Sequence, residues 1–311
     1  MAGRRRGWMR GFLDRNGWAL ATYILVAVAF WILVLIVLPQ LVMIDFSLRH
    51  DLAPAARGGP TDVWTLENYR YFVFGFPGNP DGWNFVDIAV FARTLIAAAL
   101  VTLFDLVLCY PIAYVLAQGG GGYTTRILAV ALVVPYWVNE ILRAFAFRII
   151  FGSGGLINST LIGIGLLDQP IDFIRADVAL YAGLGYAYIL LMIFPIYNAI
   201  ESLDRNQIEA ARDLGASWLR IHRRVVIPFA KPGITSGCTM VFMLAAGALA
   251  APQILGGPSS LWFTQIIYRT FFESVNWPRG AAYAIILLVT CTLVVLLVMR
   301  LFRVRIGEVG R

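Results

Sequence analysis

The segment that decides the fold is DRNQIEAARDLGASWLRIHRRVVIP, residues 204–228, which is charged and lies between two long apolar runs. Its composition is helical with one interruption at Gly215, so it predicts two short helices that meet at a turn. Gly215 can adopt the left-handed conformation that ends the first helix, and the Ser217 hydroxyl can accept hydrogen bonds from the free amides of the second. Pro228 is expected to end the second helix before the next apolar run.

The second of these helices has an apolar stripe, with arginines on its other faces. The stripe consists of Trp218, Ile221 and Val225, and the arginines are Arg220, Arg223 and Arg224. One interpretation is an amphipathic helix that lies on anionic lipid headgroups. Against it, Ala210 and Ala211 give the first helix a small face beside Glu209, which a lipid-bound helix does not need. A helix that inserts into a protein groove does need such a face, because small side chains allow close approach.

The apolar runs dominate the rest of the chain. Of its 311 residues, 59% are apolar and 14% are charged, and the mean hydropathy is +0.75. Soluble domains have about 45–50% apolar and about 25% charged residues. These values exclude a disordered protein, a disulfide scaffold and nearly all soluble enzymes, and they indicate a membrane protein with several spans.

Six segments approach the length of about 20 mainly apolar residues that a helix needs to cross a bilayer. They are residues 18–44, 88–118, 127–151, 178–200, 232–254 and 280–300. The second contains Arg93 and Asp105, and the third contains Glu140, Arg143 and Arg148. After a Gly-Gly-Pro break, a further apolar stretch at residues 261–272 predicts an external re-entrant or interfacial helix.

Basic residues are concentrated on one side of these spans. The turn at 119–126, the segment 201–231 and both ends of the chain share a side, which carries 16 of the 25 basic and six of the 18 acidic residues. Positively charged loops remain in the cytoplasm, so cytoplasmic tails of residues 1–17 and 302–311 are expected around a transmembrane domain of residues 18–301. The same asymmetry accounts for the net charge of +7 without nucleic acid as a partner.

The sequence shows no metal-binding or catalytic pattern. Its cysteines and histidines, Cys109, Cys238, Cys291, His50 and His222, lack the spacing of a metal site or a disulfide framework. The only lysine, Lys231, lacks the glycine-rich context of a phosphate-binding loop, so ATP hydrolysis by that route is not expected. No catalytic residue, metal or cofactor is therefore predicted, and a membrane-embedded enzyme is disfavoured.

Three short motifs in residues 204–228 stand in a fixed register: Glu209-Ala210-Ala211, then Gly215 after three residues, then Val-Val-Ile-Pro at 225–228 after nine more. This register resembles the "EAA" loop of permease subunits of bacterial binding-protein-dependent ABC importers. That family has Ile and Leu at positions 225 and 227. The resemblance continues at residues 202–217, 228–234 and 135–139 and covers nearly the whole chain after Trp18. Within the family it is most similar to spermidine/putrescine permease subunits.

The resemblance implies an inner-membrane protein with the all-α fold of type I ABC importer permeases, six spans and a helix-turn-helix coupling loop at residues 201–231. It implies a homologous second permease subunit, a cytoplasmic ATPase dimer that binds the ATP, and a periplasmic solute-binding protein. The ATPase-coupling residues would be Glu209, Ala210, Ala211, Arg212, Asp213, Gly215, Ala216 and Pro228. Residues 45–87 are expected to cap the bundle and to help receive the binding protein.

Ionisable groups inside spans are costly and are therefore candidates for the solute path. A polycation would bind carboxylates and aromatic faces. The candidates are Asp105, Glu140, Tyr110, Tyr136 and Trp137. The alternatives are that the carboxylates form ion pairs with Arg93, Arg143 or Arg148, and that the aromatic residues belong to the core or the lipid belt.

Alternatives also remain for the transport mode and the solute. A stand-alone channel or proton-coupled carrier could use Asp105 and Glu140 without any ATPase. Related permeases for iron, sulfate, thiamine or phosphonate share the loop, so the polyamine assignment is implied by the resemblance alone.

Overall fold

The computed structural model describes residues 17–53, 56, 58–60, 62–76, 82–119, 122–302 and 304. Most of the predicted tails, residues 1–17 and 302–311, lies outside the described residues, as do residues 120–121 of the predicted turn. Within these ranges the regular structure is helical, apart from an isolated bridge between Arg49 and Trp64. The helices are α1 (Trp18–Ile32), α2 (Leu38–Ser47), α3 (Glu67–Phe74), α4 (Phe85–Gln118), α5 (Tyr123–Val133), α6 (Glu140–Phe151), α7 (Leu156–Gly163), α8 (Val178–Glu201), α9 (Arg205–Asp213), α10 (Trp218–Ile221), α11 (Ile227–Ala246), α12 (Ala250–Leu255), α13 (Phe263–Phe272) and α14 (Trp277–Phe302).

Six helical segments of the described chain are long and apolar enough to cross a membrane, as the sequence predicted. In order, the spans are Trp18–Ser47, Phe85–Gln118, Glu140–Gly163, Val178–Glu201, Trp218–Ala246 and Trp277–Phe302. The first joins α1 and α2 through a π-helical turn at Leu33–Val37, which precedes the proline near the start of α2. The first, second, fourth and sixth spans end close to their predicted bounds, whereas the third and fifth differ.

The prediction of one continuous helix over residues 127–151 was wrong. Helix α5 ends at Val133, and a 3₁₀ turn follows at Val134–Trp137. Pro135 in that turn has no backbone N–H to continue the helical hydrogen bonds. The side chain of Asn139 then accepts a hydrogen bond of 2.8 Å from the amide of Ile141 and caps the new helix α6. The third span therefore begins at Glu140, and α5 is a separate helix.

The fifth span begins earlier than predicted, because Pro228 does not end the second loop helix. The helix continues from Trp218 to Ala246 through a π-helical turn at His222–Val226, in which the amide of Ile227 bonds the carbonyl of His222. A wide turn accommodates the proline, whose ring would clash with the carbonyl four residues earlier in a regular α-helix. At its other end the span stops at Ala246, and residues up to 255 form the separate helix α12.

The centre of the bundle consists of the second, fourth and fifth spans, which make the most extensive helix contacts. Small residues allow this approach. A Cβ at Gly233 would overlap the carbonyl of Pro195, and a Cβ at Gly237 would lie 3.0 Å from the Sδ of Met192. Close packing at small residues is how helices associate where lipid removes the hydrophobic driving force.

The first span lies at the edge of the bundle. Its α2 portion packs against α14, and most side chains along the span are exposed, including the large apolar ones of Tyr23, Phe30 and Trp31. Such a surface requires lipid or another membrane subunit as its neighbour.

Residues 45–87 form an ordered cap at one end of the bundle, so far as they are described. The buried Asn68 amide donates hydrogen bonds to the carbonyls of Ser47 at 3.0 Å and Arg49 at 2.8 Å. Arg49 also forms ion pairs with Asp45 at 2.7 Å and Asp62 at 2.9 Å. Hydrogen bonds to Asp45 and then Asp62 raise the pKa of Arg49 above its usual range, so this cross-link remains charged.

Candidate functional site

Helix α9 begins and ends at well-defined caps. The side chain of Asp204 accepts a hydrogen bond of 3.0 Å from the amide of Asn206. At the other end Gly215 has φ 74°. Its amide donates to the carbonyl of Arg212 at 2.8 Å, and the amide of Ala216 donates to the carbonyl of Ala211 at 3.0 Å. This pair of bonds is a Schellman motif. The predicted left-handed Gly215 between two helices is confirmed.

Ser217 caps the second helix only with its backbone. It has the extended geometry of an N-cap residue, and the amide of Ile221 bonds its carbonyl at 3.0 Å, but its side chain makes no capping bond. The prediction of a hydroxyl cap was therefore wrong. The helix does not depend on one, because it buries Ile221 and His222 and continues into the fifth span.

The outer side of the bend is exposed and partly apolar. Ile208 faces the bundle and is buried, whereas Glu209, Ala210, Arg212 and Asp213 are exposed, and Ala211 and Ala216 are half-buried. The large side chains of Leu214, Trp218 and Leu219 are 89%, 64% and 70% exposed. We call the exposed set Glu209, Ala210, Leu214, Trp218 and Leu219 the bend face.

Two residues of the bend face were missed by the sequence reasoning. Leu214 and Leu219 flank the turn but do not fit the apolar stripe of the second helix, and that mismatch was the available signal. In the described residues no hydrogen bond or ion pair engages the Glu209 carboxylate. An exposed apolar patch with an unpaired charge at its edge is typical of a surface that binds another protein.

Asp105 is fully buried in the second span, and neither of its carboxylate oxygens has a hydrogen-bond partner in the described part of the chain. The arginines considered as ion-pair partners are engaged elsewhere. Arg93 pairs with Asp177, and Arg148 donates to a backbone carbonyl of α12. The guanidinium of Arg143 lies 4.8 Å from the ring centroid of Tyr136. The ion-pair alternative for Asp105 was therefore wrong.

The second and fourth spans approach closely beside Asp105. A Cβ on Gly185 would lie 3.0 Å from the Oδ1 of Asp105. Tyr136 enters the same region from the 3₁₀ turn. Its hydroxyl donates to the carbonyl of Tyr186 and accepts from the amide of Leu190, both at 3.0 Å. These two backbone groups pair with each other in a regular helix, so the side chain of Tyr136 bridges the hydrogen bonds of α8.

Four side chains form an interior cluster: Asp105, Tyr136, Arg143 and Tyr188. The charged groups of Asp105 and Arg143 lie near both tyrosines, and the carboxylate of Glu140 lies near Tyr188. Among the described residues the buried Nε and Nη1 atoms of Arg143 have no hydrogen-bond partner, so the cluster contains a carboxyl group and a guanidinium group that both lack hydrogen bonds. Tyr188 was missed by the sequence reasoning, because the fourth span is uniformly apolar and only the fold brings this residue beside the cluster.

The other solute-path candidates are Glu140, Trp137 and Tyr110. Glu140 is exposed and forms no ion pair with Arg143 among the described residues, so the predicted i, i+3 pair was wrong. Trp137 is 83% exposed. Tyr110 is bonded through its hydroxyl to Nδ1 of His222 at 2.7 Å, next to the loop.

A cavity of about 440 Å³ opens near the start of α9. Its lining is mostly apolar, with Tyr197, Glu201 and Arg205 at its polar edge, and neither Asp105 nor Glu140 contributes to it. The candidate carboxylates therefore do not line this opening.

Comparison with known proteins identifies the family. Residues 110–307, which include the loop and the last four spans, match the model of the binding-protein-dependent transport system inner membrane component. The chain belongs to this family. The permease is 33% identical over 280 residues to the spermidine/putrescine transport system permease protein PotB of Escherichia coli K12, covering 90% of this chain and 96% of that protein. It is 31% identical over 273 residues to PotB of Haemophilus influenzae, covering 88% and 91%.

A more distant relative is the putative 2-aminoethylphosphonate transport system permease protein PhnU of Salmonella choleraesuis, 25% identical over 249 residues, with coverage of 78% of the permease and 82% of that protein. Among solved structures, a bacterial ABC transporter that imports the acidic polysaccharide alginate has a chain with a TM-score of 0.71 and 15% identity, covering 96% of this permease and 98% of that chain. A second alginate transporter structure includes a periplasmic protein loaded with an alginate pentasaccharide, with a TM-score of 0.71 and 15% identity, covering 95% and 99%.

These findings confirm the predicted permease fold and the assignment to the ABC importer permeases. The chain is a multi-pass inner-membrane transport subunit.

Proposed function

We propose that this permease carries a polyamine such as spermidine or putrescine into the cytoplasm, as one of two homologous permease subunits. A periplasmic binding protein delivers the solute, and a separate ATPase dimer binds and hydrolyses the ATP. The observation that carries the proposal is the identity of 33% to a spermidine/putrescine permease over 90% of this chain. A stand-alone carrier or channel would have no need of the bend face.

The bend face supports the docking of an ATPase subunit. Glu209 offers an unpaired carboxylate to a basic residue, and Ala210 leaves room for a close approach. Leu214, Trp218 and Leu219 offer exposed apolar surface to a groove. Aromatic and apolar side chains surrounded by polar groups supply most of the binding energy in such interfaces. Arg212, Asp213, Ala216 and Pro228 complete the proposed coupling set around Gly215.

Docking on the bend face would also determine the orientation of the chain. The loop lies between the fourth and fifth spans, so it is four spans from the N-terminus and two spans from the C-terminus. Even numbers of crossings place both termini on the ATPase side, which is the cytoplasm. The excess of basic residues on that side agrees with this orientation.

The unpaired carboxylate of Asp105 supports a cationic solute. A buried carboxylate without a partner has a large unsatisfied electrostatic demand, which an ammonium group would meet. Tyr136 contributes an aromatic face in the same cluster. We place Glu140 and Trp137 on the same path at its exposed edge, where the second permease subunit would face them.

A phosphonate bearing an amine is the second candidate solute. In the part of the chain that the structure describes, the Nε and Nη1 atoms of the buried Arg143 guanidinium have no partner, and a phosphonate oxygen would satisfy them. The 25% identity to a putative 2-aminoethylphosphonate permease agrees with this alternative.

The test is reconstitution in liposomes of the complex that co-purifies with the tagged permease. ATP-dependent uptake of labelled spermidine from the binding protein is expected, together with no uptake by the permease alone. Mass spectrometry of the solute retained by the co-purified binding protein identifies the cargo. A phosphonate there would replace the polyamine assignment, and uptake by the permease alone would favour the carrier.

A further inference from the structure

A buried histidine joins the bend face to the centre of the bundle. His222 is the first residue of the π-helical turn in the fifth span, and its side chain is 3% exposed. Its Nδ1 lies 2.7 Å from the hydroxyl of Tyr110 in the second span. Its Nε2 is buried without a partner in the described part of the chain. The bond to Tyr110 is therefore the hydrogen bond that holds this imidazole.

Aromatic rings extend this contact in both directions. The ring of Trp218, a member of the bend face, lies 4.1 Å from the imidazole of His222, centroid to centroid. The ring of Tyr114 lies 4.4 Å from the same imidazole and that of Tyr110 lies 5.8 Å from it, again centroid to centroid. Trp218, His222 and the two tyrosines therefore form a continuous set of contacts from the exposed bend to the second span.

The contact between Tyr110 and His222 lies at the π-helical turn of the fifth span. π-Helical turns in proteins frequently occur at functional sites. Coupling between distant sites is carried by packed side chains and hydrogen bonds that have two distinct arrangements.

We propose that the hydrogen bond between Tyr110 and His222 is a positioning contact that passes movement of the coupling loop to the second span, which carries Asp105. The proposal rests on the proposed docking of an ATPase on the bend face. In this role neither residue acts by contact with the solute or ATP. When an ATPase subunit displaces Trp218, the imidazole moves with it, and the hydroxyl of Tyr110 takes the second span along.

The test uses the complete complex in liposomes and compares Tyr110→Phe, His222→Phe and the double variant. The solute imported per ATP hydrolysed is expected to fall at least tenfold in each single variant and no further in the double, because all three lack the same bond. The ATPase should still co-purify with each of them. Tyr197→Phe is the matched control, because the Tyr197 hydroxyl bonds Glu201 at 2.7 Å within one helix, and it should retain the wild-type ratio.

Thermal stability separates transmission from simple packing. Each single variant leaves a buried polar atom without its partner and should lower the melting temperature, whereas the double variant removes both atoms and should recover it. Transmission predicts that the transport ratio stays low in the double variant. A ratio that recovers with the melting temperature, or single variants with a wild-type ratio, would overturn the proposal. If the unmodified permease binds no ATPase, the proposed function fails together with this proposal. If the ATPase binds but the variants behave as simple packing mutants, only the proposal about Tyr110 and His222 fails.

Discussion

Replacement of Gly215 tests the requirement for a bent loop. The residue has φ 74°, and a Cβ added there would meet nothing within 4 Å. The cost of Gly215→Ala is therefore conformational and not steric. A left-handed L-residue costs about 1–2 kcal/mol, which changes the ratio of bent to unbent loop by a factor of about 5–30. Gly215→Val should cost more, because a β-branched residue resists positive φ.

The assay is ATPase attachment and coupled uptake by the reconstituted complex. Gly215→Ala should weaken attachment by that factor, and Gly215→Val should nearly abolish uptake while membrane insertion remains normal. Gly215→Asn should retain most of the activity, because asparagine tolerates the left-handed conformation. Gly163→Ala is the matched control, since that glycine has equally open space and lies in a helix. Equal activity of the Gly215→Val and Gly215→Asn variants would refute the role of the bend.

Three further substitutions probe the remaining assignments. Glu209→Lys should abolish uptake and loosen ATPase attachment without loss of the inserted protein, and uptake at the wild-type level would contradict the docking role of the bend face. Asp105→Asn should raise the half-saturating solute concentration roughly tenfold or more, since a hydrogen bond to a charged group contributes about 1.5–3 kcal/mol; a fall in protein abundance alone would assign Asp105 to packing. Gly233→Ala should destabilise the bundle by about 1–3 kcal/mol, because its Cβ would overlap the Pro195 carbonyl; a melting temperature equal to that of Gly163→Ala would exclude this close approach.

The spans could be predicted from the sequence because each depends on local hydropathy and length. Their internal breaks could not. Proline ends one predicted helix at the 3₁₀ turn containing Pro135 but is accommodated at Pro228 by a π-helical turn. The same residue type thus has opposite outcomes, and proline alone does not predict where a helix ends. At the 3₁₀ turn, where the helix does end, Asn139 was a second signal in the sequence, because asparagine is a favoured N-cap residue and here caps the next helix.

The coupling loop and the interior cluster around Asp105 also differ in how well the sequence predicts them. The conformation of Gly215 was predictable, because the turn that requires it is formed by neighbouring residues. The environment of Asp105 was not, because Arg93 pairs with Asp177, a residue 84 positions away in the sequence. Tyr110 was placed correctly on the second span, but its partner His222 belongs to a contact between distant segments that no local pattern reveals.

The uninterrupted fifth span has a mechanical consequence. Trp218–Ala246 comprises 29 residues, so at 1.5 Å per residue it is a rod about 44 Å long. If its cytoplasmic end is held by an ATPase, a tilt of about 10° would displace the opposite tip by roughly 8 Å, because the displacement grows with the length of the helix. A modest movement at the nucleotide-binding subunits would thus reach the far leaflet.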